Sequence, residues 1–384
     1  MNNRERFLAI MNYQDYDRMP VMHFGYWKET MQKWAAEGHI SKEMADNRTD
    51  ANKLDFELDK MLGFDFGFGP LAGAHRLLDP PFEGKVIAEF PDGSKHVRDS
   101  CGVTLLQMPD AGSIPSEIEH MLTDRASWEK HYKWRVNWIE EHAAESLVPV
   151  NGEYKKLSQG GLEFLRNDQR KSCLGVNCGS GIGQIRSIIG VIGMSYMQID
   201  DEALLDEIID ACNSVAYQGV KFLLEQGAIF DFGHFWEDIC FNSGPLVTPD
   251  FFKRKIVPWY KKFSALLSKH GVNLISVDCD GKIDELVPHW LEGGVNTMFP
   301  IEVGTWHASI EPWRKKYGRE LRGIGGMNKT MFARDKAAID QEVERLKPLV
   351  ELGGFIPCPD HRIAPDAKWD LVKYYTEKMH AAFS

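Results

Sequence analysis

Apolar positions between residues 201 and 226 fall at helical spacing, so that Leu205, Ile208, Ile209, Cys212, Ala216, Gly219 and Leu223 share one face. Gly227 ends that helix, and the apolar, aromatic run AIFDFGHF after it predicts a strand. Thr248 supplies an N-cap and Pro249 a first helical residue for a helix that runs through WYKKFSALLSKH. Lys269 and His270 suit the negative end of its dipole, and Gly271 suits the position just beyond. The alternation then repeats. Strand NLISV (273–277) precedes helix IDELVPHWLEGG, and strand TMFPIEV precedes helix SIEPWRKKYG. Strand LRGIGG precedes helix DKAAIDQEVERLKPLVELGG, and strand FIPC leads through PDHRIAPD to a last helix, AKWDLVKYYTEKMHAAF. VNC (176–178) and PVMHF (20–24) read as earlier strands of the same series. Strands alternating with helices across short loops predict parallel βαβ units and a (β/α) barrel. The rival, an open doubly wound sheet, lacks its strand–GxGxxG–helix opening here.

Residues 80–108 break the pattern. KVIAEF, SKHVRDS and VTLLQM alternate around an Asp-Gly turn in FPDGSKHV, which predicts a small antiparallel sheet. Residues 109–170 read as polar and helix-rich. The expected organisation is one barrel domain over 1–384 with an insertion at about 75–170.

Composition narrows the function classes. The 384 residues are 43% hydrophobic, enough for a large core. A net charge of −11 argues against nucleic acid and anionic membrane as partners. No apolar window is long enough to span a bilayer, and the first residues lack the pattern of a signal peptide. The seven cysteines are scattered and form no CxxC pair, so a reducing cytoplasm is the expected location.

In such a barrel the functional groups stand at strand C-termini. Val277-Asp278-Cys279-Asp280-Gly281 carries the strongest signal. Asp278 and Asp280, two apart, point the same way along an extended chain and repel unless a cation, a proton or a basic partner intervenes. That predicts a metal or amine site; the alternative is an Asx turn with Asp280 capping the next helix. His361, in PCPDHR, is the best-placed imidazole for a ligand or a general acid/base, against an ordinary loop histidine. Glu237 follows the aromatic strand end FGHFW and reads as a ligand or base, Trp236 as a wall for a flat substrate, and Asp238 as a local cap. His234 is balanced between site and core. Glu302 ends another strand and is a site candidate, or the partner of Arg322. Gly179-Ser180-Gly181-Ile182-Gly183 can form an anion-binding nest, though its spacing matches no nucleotide fingerprint. His23, Tyr26 and Trp27 fit an aromatic pocket or ordinary core.

RERFLAIMNYQDYDRMPV, VDCDG, GVNTMFPIEV, LRGIGGMNK and GGFIPCPDHRIAPD together resemble the uroporphyrinogen decarboxylase superfamily. The resemblance covers most of the chain and is weakest from about residue 110 to 170. It implies a (β/α)8 TIM barrel and one of two activities. Metal-free porphyrinogen decarboxylases grip substrate carboxylates with arginines after the first strand, where this chain reads HFGYWKETMQKW. Zinc-dependent methyltransferases of corrinoid or coenzyme M systems carry H-x-C-G and C-G-I-x-P turns. Those turns fall on Asp278-Cys279-Asp280-Gly281 and His361-Arg362-Ile363-Ala364-Pro365. The resemblance therefore implies zinc held by Asp278, Asp280 and His361, with Glu237 as a fourth ligand or proton donor. Such a harder ligand set suits an ether oxygen better than a thiol. The expected function is methyl transfer from a methylated small molecule, such as an aryl methyl ether, to Co(I) of a transiently bound corrinoid (cobalamin) protein. His23, Tyr26, Trp27, Trp236 and Glu302 would contact the substrate. The alternatives are a metal-free lyase of the decarboxylase type and a non-enzymatic binding protein.

Overall fold

The computed structural model describes residues 1–68, 70–108 and 115–384. Its parallel strands are β1 (Met22–His23), β2 (Phe66–Gly67), β3 (Leu71–Ala72), β4 (Gly175–Asn177), β5 (Phe232–Trp236), β6 (Ile275–Asp278), β7 (Thr297–Ile301), β8 (Arg322–Met327) and β9 (Phe355–Pro359). Strands β3 to β9 form one seven-stranded parallel sheet in chain order. β1 and β2 form a separate parallel pair. The two sheets meet around Phe68 and Pro70, which β2 and β3 flank. Phe68 donates its N–H to His23 O (2.9 Å), and Pro70 O accepts from Gly175 N–H (3.0 Å). At the opposite edge Tyr26 and Ile363 make an isolated parallel bridge. There Ile363 N–H reaches Gly25 O at 2.9 Å and Trp27 N–H reaches Ile363 O at 3.2 Å. The expected alternation of helices and parallel strands is therefore present, with each predicted strand in place.

Local chemistry explains the helices that cover this sheet. Asn2 and Glu5 form a reciprocal capping box that starts helix Asn3–Met11. That helix lies under the N-terminal ends of the strands, where Phe7 meets Phe232 at 5.7 Å. Asp201 caps helix Glu202–Glu225, whose expected apolar face is buried. Thr248 and Pro249 start a helix as expected, but it runs only to Lys255, and a second one covers Val257–Lys269. Pro258 lacks the N–H that would continue the first ladder. The helix expected over IDELVPHWLEGG shortens to Val287–Glu292, with Pro288 in its first turn.

The antiparallel insertion has four strands, Lys85–Glu89, Lys95–Arg98, Val103–Gln107 and Ser116–His120. The reading of 109–170 as polar and helix-rich needs correction: the stretch also holds the hairpin Leu147–Val150 and Glu153–Lys156. Its turn, Asn151-Gly152, has both φ values positive (51° and 85°). Asn-Gly is the usual signal for that turn and was available in PVNGEY. Residues 109–114 of that stretch lie outside the described residues. Among the described residues no helix is long and apolar enough to cross a membrane.

Candidate active site at the strand ends

β6 delivers Asp278 at its last position, level with Trp236 on β5 and Phe299 on β7. Asp280 follows two residues on. Asp238, two residues past the end of β5, turns back with φ of 47° and accepts the Asp280 N–H at 3.1 Å. Asp238, Asp278 and Asp280 each place a carboxylate oxygen within 4.8 Å of the others. Burial and like charge act together on Asp278 and Asp238. Burial, then Asp280 and Asp238, hold Asp278 well above the usual carboxylate range. Burial, then Asp280, raise Asp238 to about 6. Glu302 is also raised, by burial and then by Asp280. It accepts from Gly281 N–H at 2.6 Å and Thr305 Oγ at 3.0 Å, and so pins the loop after β6. Arg322 bonds Met11 O and Glu320 O instead of Glu302.

His361 completes the cluster from the loop after β9. Its Nε2 lies 3.2 Å from Asp280 Oδ2, and its ring stacks on Trp27 with centroids 5.4 Å apart. Asp280 Oδ1 and His361 Nδ1 are buried with no hydrogen-bond partner. Buried unpaired acceptors are expensive unless something fills them. Beside them Lys329 is pulled below the usual lysine range by burial, against the opposing pull of Asp360, Asp280 and Glu302.

Glu237 requires a correction. It is fully buried and stands outside this cluster. Its carboxylate accepts from the N–H groups of Gly181 (2.5 Å), Ile182 (3.0 Å) and Gly183 (2.9 Å), from Ser180 Oγ (3.2 Å) and from Tyr260 OH. The glycine-rich nest is therefore real, but its anion is the chain's own Glu237. A Cβ on Gly183 would sit 1.9 Å from Glu237 O, which explains the glycine there. With both oxygens taken, Glu237 has no lone pair to offer a metal or substrate, and burial raises its pKa. Asp238, read as a local cap, takes the position in the cluster. The reason lies past the strand end: the chain turns at Asp238, with φ of 47°, and brings its carboxylate to Asp280 N–H, while Glu237 is held by the glycine nest.

Two aromatic expectations are also corrected. His23 is buried, with Nε2 against Asp59 Oδ1 at 2.7 Å and Nδ1 accepting Gly25 N–H at 2.8 Å. Both ring nitrogens are occupied within the protein. His23, Asp55 and Asp59 lie close enough to suggest a second metal cluster. Asp55 is already satisfied by Arg48 and by the N–H of Ala51. Tyr26 is core, packed on Trp34 under the Arg48 guanidinium. Trp27 and Trp236 do reach the site.

A cavity of about 240 Å³ lies below the carboxylates, lined by Trp236, Asp278, Phe299, Phe24, His234 and Asn177 among others. A second, mostly apolar one of about 110 Å³ shares Phe24, Asp50 and Phe68 with it and reaches the Asn151-Gly152 turn. Asp278, which lines the first, ties it to the carboxylate cluster. The sequence reading missed Phe24, which touches both Phe299 and His361, although it ends the predicted strand PVMHF. It also missed the ion pair of Arg362 with Asp50 (2.6 Å), which no local pattern announces.

Asp238, Asp278 and Asp280, with His361 Nε2 against Asp280, are a chemically reasonable set for a divalent cation: three hard oxygen donors and an imidazole, with Asp280 Oδ1 unpartnered. No family model matches the chain, and no curated protein is similar to it. Among solved structures it aligns with a B12-independent methionine synthase from Shewanella sp. W3-18-1 in complex with selenomethionine, at TM-score 0.45 and 11% identity over 94% of this chain and 97% of that one. It is similar also to a methyltransferase from Methanosarcina mazei, at TM-score 0.59 and 13% identity over 99% of this chain and 98% of that one, and with that structure it shares its fold from end to end.

Proposed function

We propose that the strands close as a (β/α)8 barrel of the uroporphyrinogen decarboxylase type, and that the chain is a methyltransferase. It moves a methyl group from an O-methylated small molecule to the Co(I) corrinoid of a separate protein that docks transiently at the mouth. The chain order of the strands and the Tyr26–Ile363 seam support the barrel. The Methanosarcina neighbour is a methyltransferase, which is consistent with the activity. The observation that carries the reading is the convergence of Asp238, Asp278, Asp280 and His361, with two orphaned buried atoms, at the strand ends.

Asp278, Asp280 and His361 would hold zinc, with Asp238 in the role expected of Glu237. Zinc held there would supply Lewis acidity toward the ether oxygen. The chain's own residues do the rest. Trp236, Phe24 and Phe299 give the donor a flat apolar wall. Glu302 and Gly281 fix the loop that carries Asp280. Trp27 holds the His361 ring by stacking. The metal-free lyase is disfavoured by charge. Among the described lining residues the one arginine, Arg362, is already paired with Asp50, and a polycarboxylate needs free cations.

Metal analysis of the purified protein tests the reading. The expected result is about one zinc per chain, bound roughly tenfold or more weakly in Asp280→Ala and His361→Ala, with loss of methyl transfer to a corrinoid protein. Ligands must be deprotonated, so loading rises with pH as Asp238, raised to about 6, and Asp278, held well above the usual carboxylate range, give up their protons, and falls as pH drops. Metal-free protein with full activity, or an Asp280→Ala variant with unchanged turnover, overturns the proposal.

A further inference from the structure

His234 is a buried imidazole for which the proposed reaction has no use. It stands two residues below Trp236 on β5, level with Asn177 on β4 and Ser276 on β6. Its side chain points into the cavity beneath the carboxylates. Its Nδ1 lies 2.8 Å from Ser276 Oγ, and Ser276 donates its single hydroxyl proton to Gly233 O at 3.2 Å. Ser276 Oγ must then accept from His234, which assigns the ring proton to Nδ1 and leaves Nε2 a bare acceptor. Among the described residues Nε2 has no partner, though His234 is only 7% exposed. Burial lowers the imidazole pKa to about 4, so the ring is neutral near pH 7.

Phe68 and Phe299 surround this acceptor, edge-on to the imidazole at 5.7 and 6.1 Å. A cavity of roughly 150 Å³ holds a benzene ring. The cavity here, about 240 Å³, has room for one substituted ring. Two residues along a parallel strand rise roughly 6–7 Å, so the acceptor and the carboxylate level lie about one ring apart.

We propose that His234 Nε2 anchors a ring hydroxyl and that the methyl donor is a single-ring methoxyphenol, its methoxy oxygen at the carboxylates and its hydroxyl on His234. This rests on the methyl-transfer reading for the role of the methoxy group, while the anchoring stands on the cavity alone. His234 is a specificity-determining residue: a ring without a hydroxyl strands its buried acceptor.

Calorimetric titration of the purified protein with 2-, 3- and 4-methoxyphenol and with methoxybenzene provides the test. At least one methoxyphenol should bind about tenfold or more tightly than methoxybenzene. His234→Phe should erase that preference, and His234→Gln, which keeps an acceptor and a polar side chain, should retain part of it. If His234→Phe fails to fold, Ser276→Ala, which frees the tautomer, should weaken the preference. Equal binding of all four compounds, no binding of any, or an undiminished preference in His234→Phe and Ser276→Ala overturns the inference. Binding needs neither corrinoid nor turnover, so the two readings fail separately. Ring preference without methyl transfer sinks the reaction alone, and methyl transfer without ring preference sinks the anchor alone.

Discussion

Glu237 and Asp238 are neighbours in the chain with opposite duties. Glu237 is saturated by five donors, whereas Asp238 is held among like charges at the mouth. Stability and chemistry separate at this one peptide bond. Glu237→Ala strands three backbone N–H groups in the core and should cost about 3–5 kcal/mol, read as a lower urea midpoint. Asp278→Asn relieves repulsion in the metal-free protein and should leave that midpoint unchanged or raise it. Equal losses from both variants would show that the two carboxylates do the same work. At this scale the sequence named the right segment but exchanged the roles within it. Which of two adjacent side chains faces the cavity depends on where the strand stops, and the φ of 47° at Asp238 is set by the packing around it.

At the scale of elements, most boundaries follow from local chemistry: the Asn2 capping box, the Thr248–Pro249 start, and the prolines that divide or shorten helices. The hairpin 147–156 is the element that was legible and went unread. Its Asn151-Gly152 turn needs two residues with positive φ, and its tip lines the apolar cavity. A Cβ on Gly152 would also meet Lys53 Cγ at 2.9 Å. Gly152→Ala should therefore cost about 1–2 kcal/mol, seen as a lower melting temperature, and Asn151→Gly only a few tenths. A Gly152→Ala protein as stable as the parent would mean that the turn is not held in this conformation.

For the whole molecule, the weakest seam is between the first and last strands. The central sheet is a continuous ladder, whereas Tyr26 and Ile363 share a single bridge. Thr30 Oγ reinforces it by donating to Ile363 O at 2.7 Å, and Arg362 by pairing with Asp50. In hydrogen exchange the amides of Trp27 and Ile363 should open before those of Gly233 and Cys279, which bond inside the sheet. Equal protection at all four would mean that the seam is as strong as the ladder. The seam lies beside His361 and Trp27, so its opening would also loosen the candidate site.

Periodicity, caps and breakers act over a few residues, and for that reason the sequence alone determined the order of strands and helices from β4 onward, while β2, β3 and the hairpin 147–156 went unread. The same local logic led to Asp278, Asp280 and His361, because a strand that ends in a charged residue is visible as text. Tertiary structure decided everything that joins distant segments. Glu237 met the glycine nest more than fifty residues before it in the chain. His23 found Asp59 and Gly25, which occupy both its ring nitrogens. His234 found Ser276 and kept one nitrogen bare. Whether a buried polar group is satisfied depends on partners brought by other strands and loops, and only the folded chain chooses them.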